Sequence, residues 1–538
     1  MGDEMAYYDF DRTLQSLFEK KYGHFPLIDW RSWLSLPSRK AYEALATELS
    51  GLSSVENLPD RMQHERTDPE ALTVDVHTFV QFKKERTPRI FCHTSGTSGG
   101  NISDIKWYHF SDELVSRLWA PGMQAIFESS GLDSHSSAII FVPSRNKGDG
   151  ISYMNDYPVI KLYSAEFSQR LALSLIKPKS YVLDEFKQYS SIGALAHILS
   201  LEKVSVVSAP ATVILGWAHR ERLHKKLKKS LESGSEDATA QPLLELISRK
   251  GLNRAVNIIQ DRLSDLLSES TLIFSTSSLS PESWSLLRAF LHWKKGEERV
   301  TNLYVGSEVG PFAASISQDP GTRSHESMYV FPLTLPALHG PSGFTLLSEP
   351  RNFRGHLFIS RMHDSHPLIN IATGDVITLS HQDGLPSISG VILRAPFPLK
   401  RKVSLLPKIA LSHGPLYVGG YFDFDGIELI DPQTLLNCLV KNCEVTPHSS
   451  LLMLKKEQEW EMIVSSSASP SSIISCLSSC PGGGSLHEAI QAHSLHLRTV
   501  EENPVQPADS RSERLKKVRA GELPKGVLKR WPLYVALK

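Results

Sequence analysis

Apolar residues in the first part of the chain recur at three- and four-residue spacing: Leu14, Leu17 and Phe18, then Tyr42, Leu45 and Leu49. That period belongs to one face of a helix and predicts a mainly helical stretch over residues 1–90. The pattern then changes. Arg89 to Thr94 (RIFCHT) reads as a short buried strand ending in a Ser/Gly loop. Ser111-Asp112-Glu113 supplies an N-cap and an acidic first turn, so a helix should open there. Ala138 to Val142 (AIIFV) and Val204 to Ser208 read as further buried strands. Arg220 to Lys229 (RERLHKKLKK) is a basic helix face, read as solvated rather than as an anion site, and a polar loop follows over 233–241. Buried strands separated by helical stretches predict an α/β fold.

The texture shifts near residue 390. Prolines 396, 398 and 407 lie in a basic stretch, which marks a linker between a large domain (1–394) and a small one (395–538). Within the latter, Ser465 to Ser485 is rich in serine and glycine and reads as a flexible surface loop. No repeat of 20–50 residues is visible.

Composition narrows the function. The chain has 538 residues with 58 Lys+Arg against 58 Asp+Glu, so it lacks the basic excess of a general nucleic-acid binder. At 41% apolar and 22% charged it is too apolar for a disordered chain. The N-terminus, Met1 to Ala6, is acidic and has no signal-peptide pattern, and Ala6 fails the myristoylation pattern. The longest uncharged apolar stretch, about Val204 to Ala218, contains Pro210 and is short of the ~20 residues a membrane span requires. The five cysteines (Cys92, Cys438, Cys443, Cys476 and Cys480) fit neither a zinc site nor a disulfide framework by spacing. The expectation is therefore a cytoplasmic enzyme with free thiols, and without a membrane or nucleic-acid partner.

The most informative segment is Thr94-Ser95-Gly96-Thr97-Ser98-Gly99-Gly100. Small residues let successive backbone N–H groups converge on an anion, and four hydroxyls add donors. No Gly-Lys-Ser/Thr follows, so it is not a Walker A loop. Gly96 to Gly100 also satisfies G-x-S-x-G, the nucleophile elbow of α/β-hydrolases, which needs a helix directly after Ser98. Asn101 to Phe110 (NISDIKWYHF) is β-branched and aromatic and looks like a second strand instead. A phosphate loop, an elbow and a plain Gly/Ser turn remain the three readings of the loop by itself.

A Ser/Thr/Gly loop between two strands resembles the first core motif of adenylate-forming enzymes, the acyl-CoA synthetase and luciferase superfamily. Further segments match in order. Ala209 to Trp217 is similar to a pocket segment, and Thr271 to Trp284 (TLIFSTSSLSPESW) resembles the strand and turn beside the adenine. Asn302 to Pro311 (NLYVGSEVGP) resembles Tyr-Gly-x-Ser/Thr-Glu. Pro367 to Asp375 (PLINIATGD) is similar to the Pro-Leu-Ile … Thr-Gly-Asp of the phenylacetate–CoA ligase branch. A relation to acyl-protein synthetases is also visible. The resemblance spans about residues 85–395 and implies a large N-terminal domain of sheets flanked by helices, with a small mobile α+β C-terminal domain.

It also implies roles. Thr94, Ser95, Gly96, Thr97, Ser98 and Gly99 would hold the β- and γ-phosphates of ATP. Ser277 would sit beside the adenine, Tyr304 against its ring, and Ser307 on phosphate. Glu308 would place Mg2+, and Asp375 would accept hydrogen bonds from both ribose hydroxyls. Arg394 matches the arginine near the hinge, and Gly426 to Leu436 resembles the start of the small domain. Glu522 to Arg530 (ELPKGVLKR) resembles a shortened Pro-Lys … Gly-Lys ending, with Lys529 first and Lys525 second as the lysine that offsets charge in adenylation. The sequence departs from the pattern at Gly100-Asn101, where a lysine is common, and at Ser277-Ser278, where glycines are common. Lys106 could replace that lysine only if its strand bends. The implied function is ATP-dependent activation of an aryl or small organic acid, then transfer to CoA, a carrier protein or an amine. A Ser98 hydrolase and a noncatalytic nucleotide-binding relative are the alternatives. Arg145 and Lys147, in Ser144 to Asp149 (SRNKGD), would either meet an anionic acid or belong to a solvated turn, the favoured reading.

Overall fold

The computed structural model describes residues 3–34, 74–76, 89–93, 107–145, 148–154, 157–232, 240–275, 281–306, 309–316, 327–340, 343–346, 353–363, 366–382, 385–392, 416–418, 421–424, 427–430, 432–446, 451–456, 459–501 and 533–537. Helix α1 (Asp3–Tyr22) buries Leu14, Phe18 and Tyr22, which its period places on one face. After α2 (Trp30–Leu34), strand β1 (Arg89–His93) is buried along its whole length and pairs antiparallel with β2 (Trp107–His109). Ser111 caps α3 (Asp112–Leu114) as predicted, accepting a hydrogen bond from Leu114 N. A π-helical turn, Val115–Trp119, leads into α4 (Ala120–Ser129).

A parallel sheet follows. Strand β3 (Ser137–Val142) enters it, while β4 (Gly150–Met154) and β5 (Tyr157–Tyr163) join β1 in a separate sheet of order β2-β1-β5-β4. Parallel neighbours require crossovers. Helix α5 (Ser164–Ile176) leads to β6 (Ser180–Glu185), and α6 (Ile192–Leu199) to β7 (Val206–Ser208). Helices α7 (Ala211–Ala218), α8 (Arg220–Glu232), α9 (Gln241–Lys250) and α10 (Leu252–Leu267) precede β8 (Thr271–Ser275). Then α11 (Pro281–Leu291) leads to β9 (Val300–Gly306). The order β6-β3-β7-β8-β9 is parallel throughout. Numbered from β3, that is the doubly wound order 2-1-3-4-5, which opens a crevice at the carboxyl ends of β3 and β7.

From β9 the same 12-stranded sheet becomes antiparallel. It takes in β10 (Gly310–Ala314), β11 (Ser327–Val330), β12 (Leu335–Gly340), β13 (Gly343–Leu346), β14 (Phe353–His363), β15 (His366–Gln382) and β16 (Leu385–Ile392). The order here is β9-β10-β11-β16-β15-β14-β12-β13. This half curls on itself: Gly310 of β10 lies against Arg361 of β14, although β11, β16 and β15 intervene. Tyr304, Phe312, Val330, Leu357, Ile371 and Ile388 share the apolar interior so formed.

The C-terminal part has a core of its own, including Leu429, Leu435, Met453, Trp460, Ile473 and Leu486. Strands β17 (Leu416–Val418), β18 (Tyr421–Phe424) and β19 (Ile427–Ile430) form a meander before α12 (Pro432–Asn442). A second sheet, in the order β22-β21-β20-β23, contains β20 (Leu451–Lys456), β21 (Glu459–Ser465), β22 (Leu495–Val500) and β23 (Leu533–Leu537). The proposed boundary at 394, with its prolines, lies outside the described residues.

Two expectations are corrected here. Residues 465–485 are not a flexible loop: they carry α13 (Pro470–Leu477) and lead into α14 (Gly484–Gln491). Ser469 caps α13, with Pro470 in its first turn, and Ile473 and Leu477 are buried. The cysteines are not all free thiols. Cys438 bonds Cys480, and Cys443 bonds Cys476, with Cα–Cα distances of 5.8 and 6.3 Å. Cys438 lies on α12 and Cys443 just beyond it, while Cys476 and Cys480 lie at and beyond the end of α13. Proximity in space made the pairs, and sequence spacing could not show it. The thiol argument for a reducing compartment is thereby removed. No helix among the described residues is long and apolar enough to cross a membrane.

Candidate functional site

Ligands of doubly wound sheets bind beyond the carboxyl ends of the parallel strands, where loops and helix starts meet. In this chain that edge receives Pro143 to Arg145 after β3 and Ala209-Pro210 after β7, and the carboxyl ends of β8 and β9, at Ser275 and Gly306, lie along it. The register fixes the edge, since Ser208 pairs with Ile273 and Ser275 with Leu303. Three of the motif segments singled out in the sequence therefore leave adjacent strands in one direction. Ser277, Ser307 and Glu308 themselves lie outside the described residues.

So do Thr94, Ser95, Gly96, Thr97, Ser98 and Gly99, with Gly100, Asn101 and Lys106, but both flanks of that loop are defined. It runs from the end of β1 to the antiparallel β2. The next described element is thus a strand, Trp107–His109, within the 101–110 stretch that the sequence reads as one, while residues 99–106, where the helix of a nucleophile elbow would start, lie outside the described residues. The root of the loop is held by a buried pair. His93 Nε2 lies 3.1 Å from both carboxylate oxygens of Asp149. The same imidazole sits between the rings of Trp107 and Tyr163, with centroids 4.9 and 4.2 Å away. Sequence reasoning missed this pair. The signal was a histidine directly after Ile90-Phe91-Cys92 in a strand read as buried, because a buried imidazole needs a partner.

Tyr304 is 9% exposed, with its ring 4.4 Å from that of Phe312. Past Glu308, Gly310 pairs with Gly306 across the hairpin and has φ +72°. A Cβ on Gly310 would lie 3.2 Å from the Trp119 indole, and one on Gly122 would lie 2.8 Å from Pro311. Trp119 in turn packs on Phe110, which follows β2, at a centroid distance of 4.7 Å. A line of contacts thus joins Phe110, just after β2, through Trp119 to Gly310, just past the Tyr304–Glu308 motif. π-helical turns like the one that ends at Trp119 are frequent at functional sites.

Thr373 donates to Leu357 O at 3.0 Å, which fixes the Thr-Gly-Asp segment on β15 against β14. Asp375 lies in β15, but its side chain is outside the described set, as are Arg394, Lys525 and Lys529.

Arg145 needs correction, because it is neither a substrate-anion ligand nor part of a solvated turn. Its Nη2 lies 2.6 Å from Glu166 Oε1 and 2.5 Å from Asp11 Oδ1. Arg170 shares both carboxylates. Burial alone would lower the pKa of Arg145, but Glu166 and Asp11 raise it above the ordinary arginine value. Lys147 lies outside the described residues. On the basic helix α8, His224 and Lys228 line an open cleft together with Lys250 and Arg254.

No protein-family model matches the sequence, and no curated protein matches it. Solved structures are similar in fold. The amide bond synthetase McbA from Marinactinospora thermotolerans is 14% identical, over 80% of this chain and 68% of that one, with a TM-score of 0.41. The GH3.15 acyl acid amido synthetase is 13% identical over 97% and 94%, with a TM-score of 0.45. A 2-hydroxyisobutyryl-CoA ligase in complex with 2-HIB-AMP and CoA is 10% identical over 99% and 90%, with a TM-score of 0.36. These are adenylate-forming enzymes. Each likeness has a TM-score below 0.5 and assigns no residue, so the chemistry is argued from this chain's own side chains.

Proposed function

We propose that this chain is an ATP-dependent adenylate-forming ligase acting on an aryl or small organic acid. A carboxylate is a poor electrophile because its charge is delocalised and repels nucleophiles. Its oxygen attacks the α-phosphorus of ATP, the bond to pyrophosphate breaks, and an acyl-adenylate results. A thiol (CoA or a carrier protein) or an amine then displaces AMP and loses its proton. Both steps depend on alignment and on neutralisation of charge, which a preorganised site supplies.

One observation carries the reading: β8 and β9, whose sequence continues into the Ser277 and Ser307–Glu308 segments, are neighbouring parallel strands with their carboxyl ends at the edge where such sheets bind ligands. In this assignment residues 94–99 wrap the β- and γ-phosphates. Ser277 and Tyr304 border the adenine, Ser307 contacts phosphate, and Asp375 accepts from the ribose hydroxyls. Glu308 would hold Mg2+, which when bound neutralises phosphate charge. Arg394 lies near the hinge between domains 1–394 and 395–538, and Lys529, with Lys525 second, approaches the acyl phosphate. The antiparallel β1–β2 pair supports a phosphate loop over a hydrolase elbow. Acid-dependent exchange of labelled pyrophosphate into ATP, across a panel of aryl and short aliphatic acids, tests this. Exchange with one acid is expected, and ATP binding without exchange for any acid would reject it.

A further inference from the structure

Arg361 lies on β14, is 1% exposed, and is among the largest fully buried side chains. Its Nη2 donates to Thr334 Oγ1 at 2.9 Å. Its Nε and Nη1 have no acceptor, and no carboxylate among the described residues pairs with it. This sets it apart from Arg170, which is equally enclosed, and from the partly buried Arg145, both of which share Asp11 and Glu166. A lone guanidinium withdrawn from water is strongly disfavoured, and burial pushes its pKa down to about 9. At neutral pH it is still cationic.

The backbone around it is irregular in a way that aims the side chain. Ile359 pairs with Ile371 and Arg361 with Leu368, so Ser360 alone faces both Ile369 and Asn370. That is a β-bulge, a device that turns a strand's side chains and is frequent beside active sites. Asn370, buried at the bulge, has φ +51°, and its N–H donates to Ser360 Oγ at 2.9 Å. Strain of this kind persists only where surrounding structure enforces it. The guanidinium is directed at Gly310, where an added Cβ would lie 3.4 Å from Nη1. Gly310 stands two residues past Glu308 and shares the Trp119 indole as a neighbour.

We propose that Arg361 is an oxyanion-binding residue whose counter-charge is brought by the ligand, as the carboxylate of the acid or a phosphate of the nucleotide. The planar guanidinium fork suits either group. The inference rests on the reading of residues 304–311 as a wall of the ligase site. It adds a charged anchor from β14 that none of the sequence motifs contains.

The test compares the full chain with Arg361→Met and Arg361→Lys. Thermal unfolding is followed alone and with benzoate, acetate, inorganic phosphate or ATP, and Kd is measured by calorimetry. Without ligand, Arg361→Met should melt no lower than the parent protein, because it removes an uncompensated buried charge. It should bind the responsible anion about tenfold to a hundredfold more weakly, with Arg361→Lys intermediate. Loss confined to benzoate and acetate assigns the carboxylate, and loss confined to phosphate and ATP assigns the nucleotide. A sharp fall in the melting temperature of Arg361→Met without ligand would reveal an internal counter-ion and overturn the proposal. So would unchanged Kd values, or a parent protein that binds none of the four probes. Pyrophosphate exchange separates the two readings. Anion binding through Arg361 without exchange defeats the ligase, whereas unaltered exchange in Arg361→Met defeats the anchor.

Discussion

Gly310→Ala should be more damaging than its surroundings suggest. A non-glycine residue at φ +72° bears a left-handed penalty of about 1–2 kcal/mol, and the new methyl would press on the Trp119 indole. Urea unfolding should show that loss, and the KM for the ligand that meets Arg361 should rise with it. Glu166 offers the opposite case. It is fully buried and faces both Arg145 and Arg170, so Glu166→Leu leaves two arginines with only Asp11 between them. Breaking a buried pair in this way costs about 3–5 kcal/mol, and a fall in the urea midpoint at pH 7 with unchanged slope would register it. Individual side chains were the least legible level of the sequence. Arg145 stands in a stretch that reads as a polar turn, and nothing local announces that Asp11 and Glu166 arrive from two different helices. His93 and Arg361 are equally silent, since their partners and neighbours are set by strand pairing far along the chain.

Elements were read better, and the reason is periodicity. The runs at 89–94, 138–142 and 204–208 became β1, β3 and β7, because short segments centred on β-branched and other apolar residues fit strands covered on both faces. Ser111 at its helix start was equally plain. Serine-rich composition misled over 465–485, where Ser469 and Pro470 are a capping signal and Ser471, Ser472 and Ser475 ride the outer face of α13. The two disulfides tie that helix to α12 across separations of 42 and 33 residues. Each should contribute about 2–4 kcal/mol. Reduction should therefore lower the melting temperature of the C-terminal part and speed hydrogen exchange in α12 and α13, while β3 and β7 exchange as before. Uniform acceleration across all of these elements would contradict two separate cores.

For the whole molecule, the fold class was legible from alternating strand and helix patterns, but convergence was not. Sequence order reveals that Ser277 and Glu308 belong to successive motifs, whereas only strand order reveals that β8 and β9, the strands before them, are parallel neighbours. The curl that brings β10 onto β14 has no local signature at all. At this scale Glu308→Ala and Asp375→Ala should each slow pyrophosphate exchange about 100-fold or more while leaving the melting temperature near that of the parent. Unchanged rates would remove the site assignment. ATP at a hundred times its Kd should raise stability by about 2.7 kcal/mol, which a thermal shift can read. The edge strand β23 has one more implication. Its pairing with β20 anchors Leu533, and Lys529 and Lys525 stand four and eight residues before that point. Covalent length alone keeps their backbones within roughly 14 Å and 28 Å of the anchor. An ammonium on so short a leash travels with its sheet, so delivering it to a distant reactant means carrying β20–β23 as cargo. Splicing a few glycines between Lys529 and Leu533 would cut that freight loose and leave the ammonium to a random search.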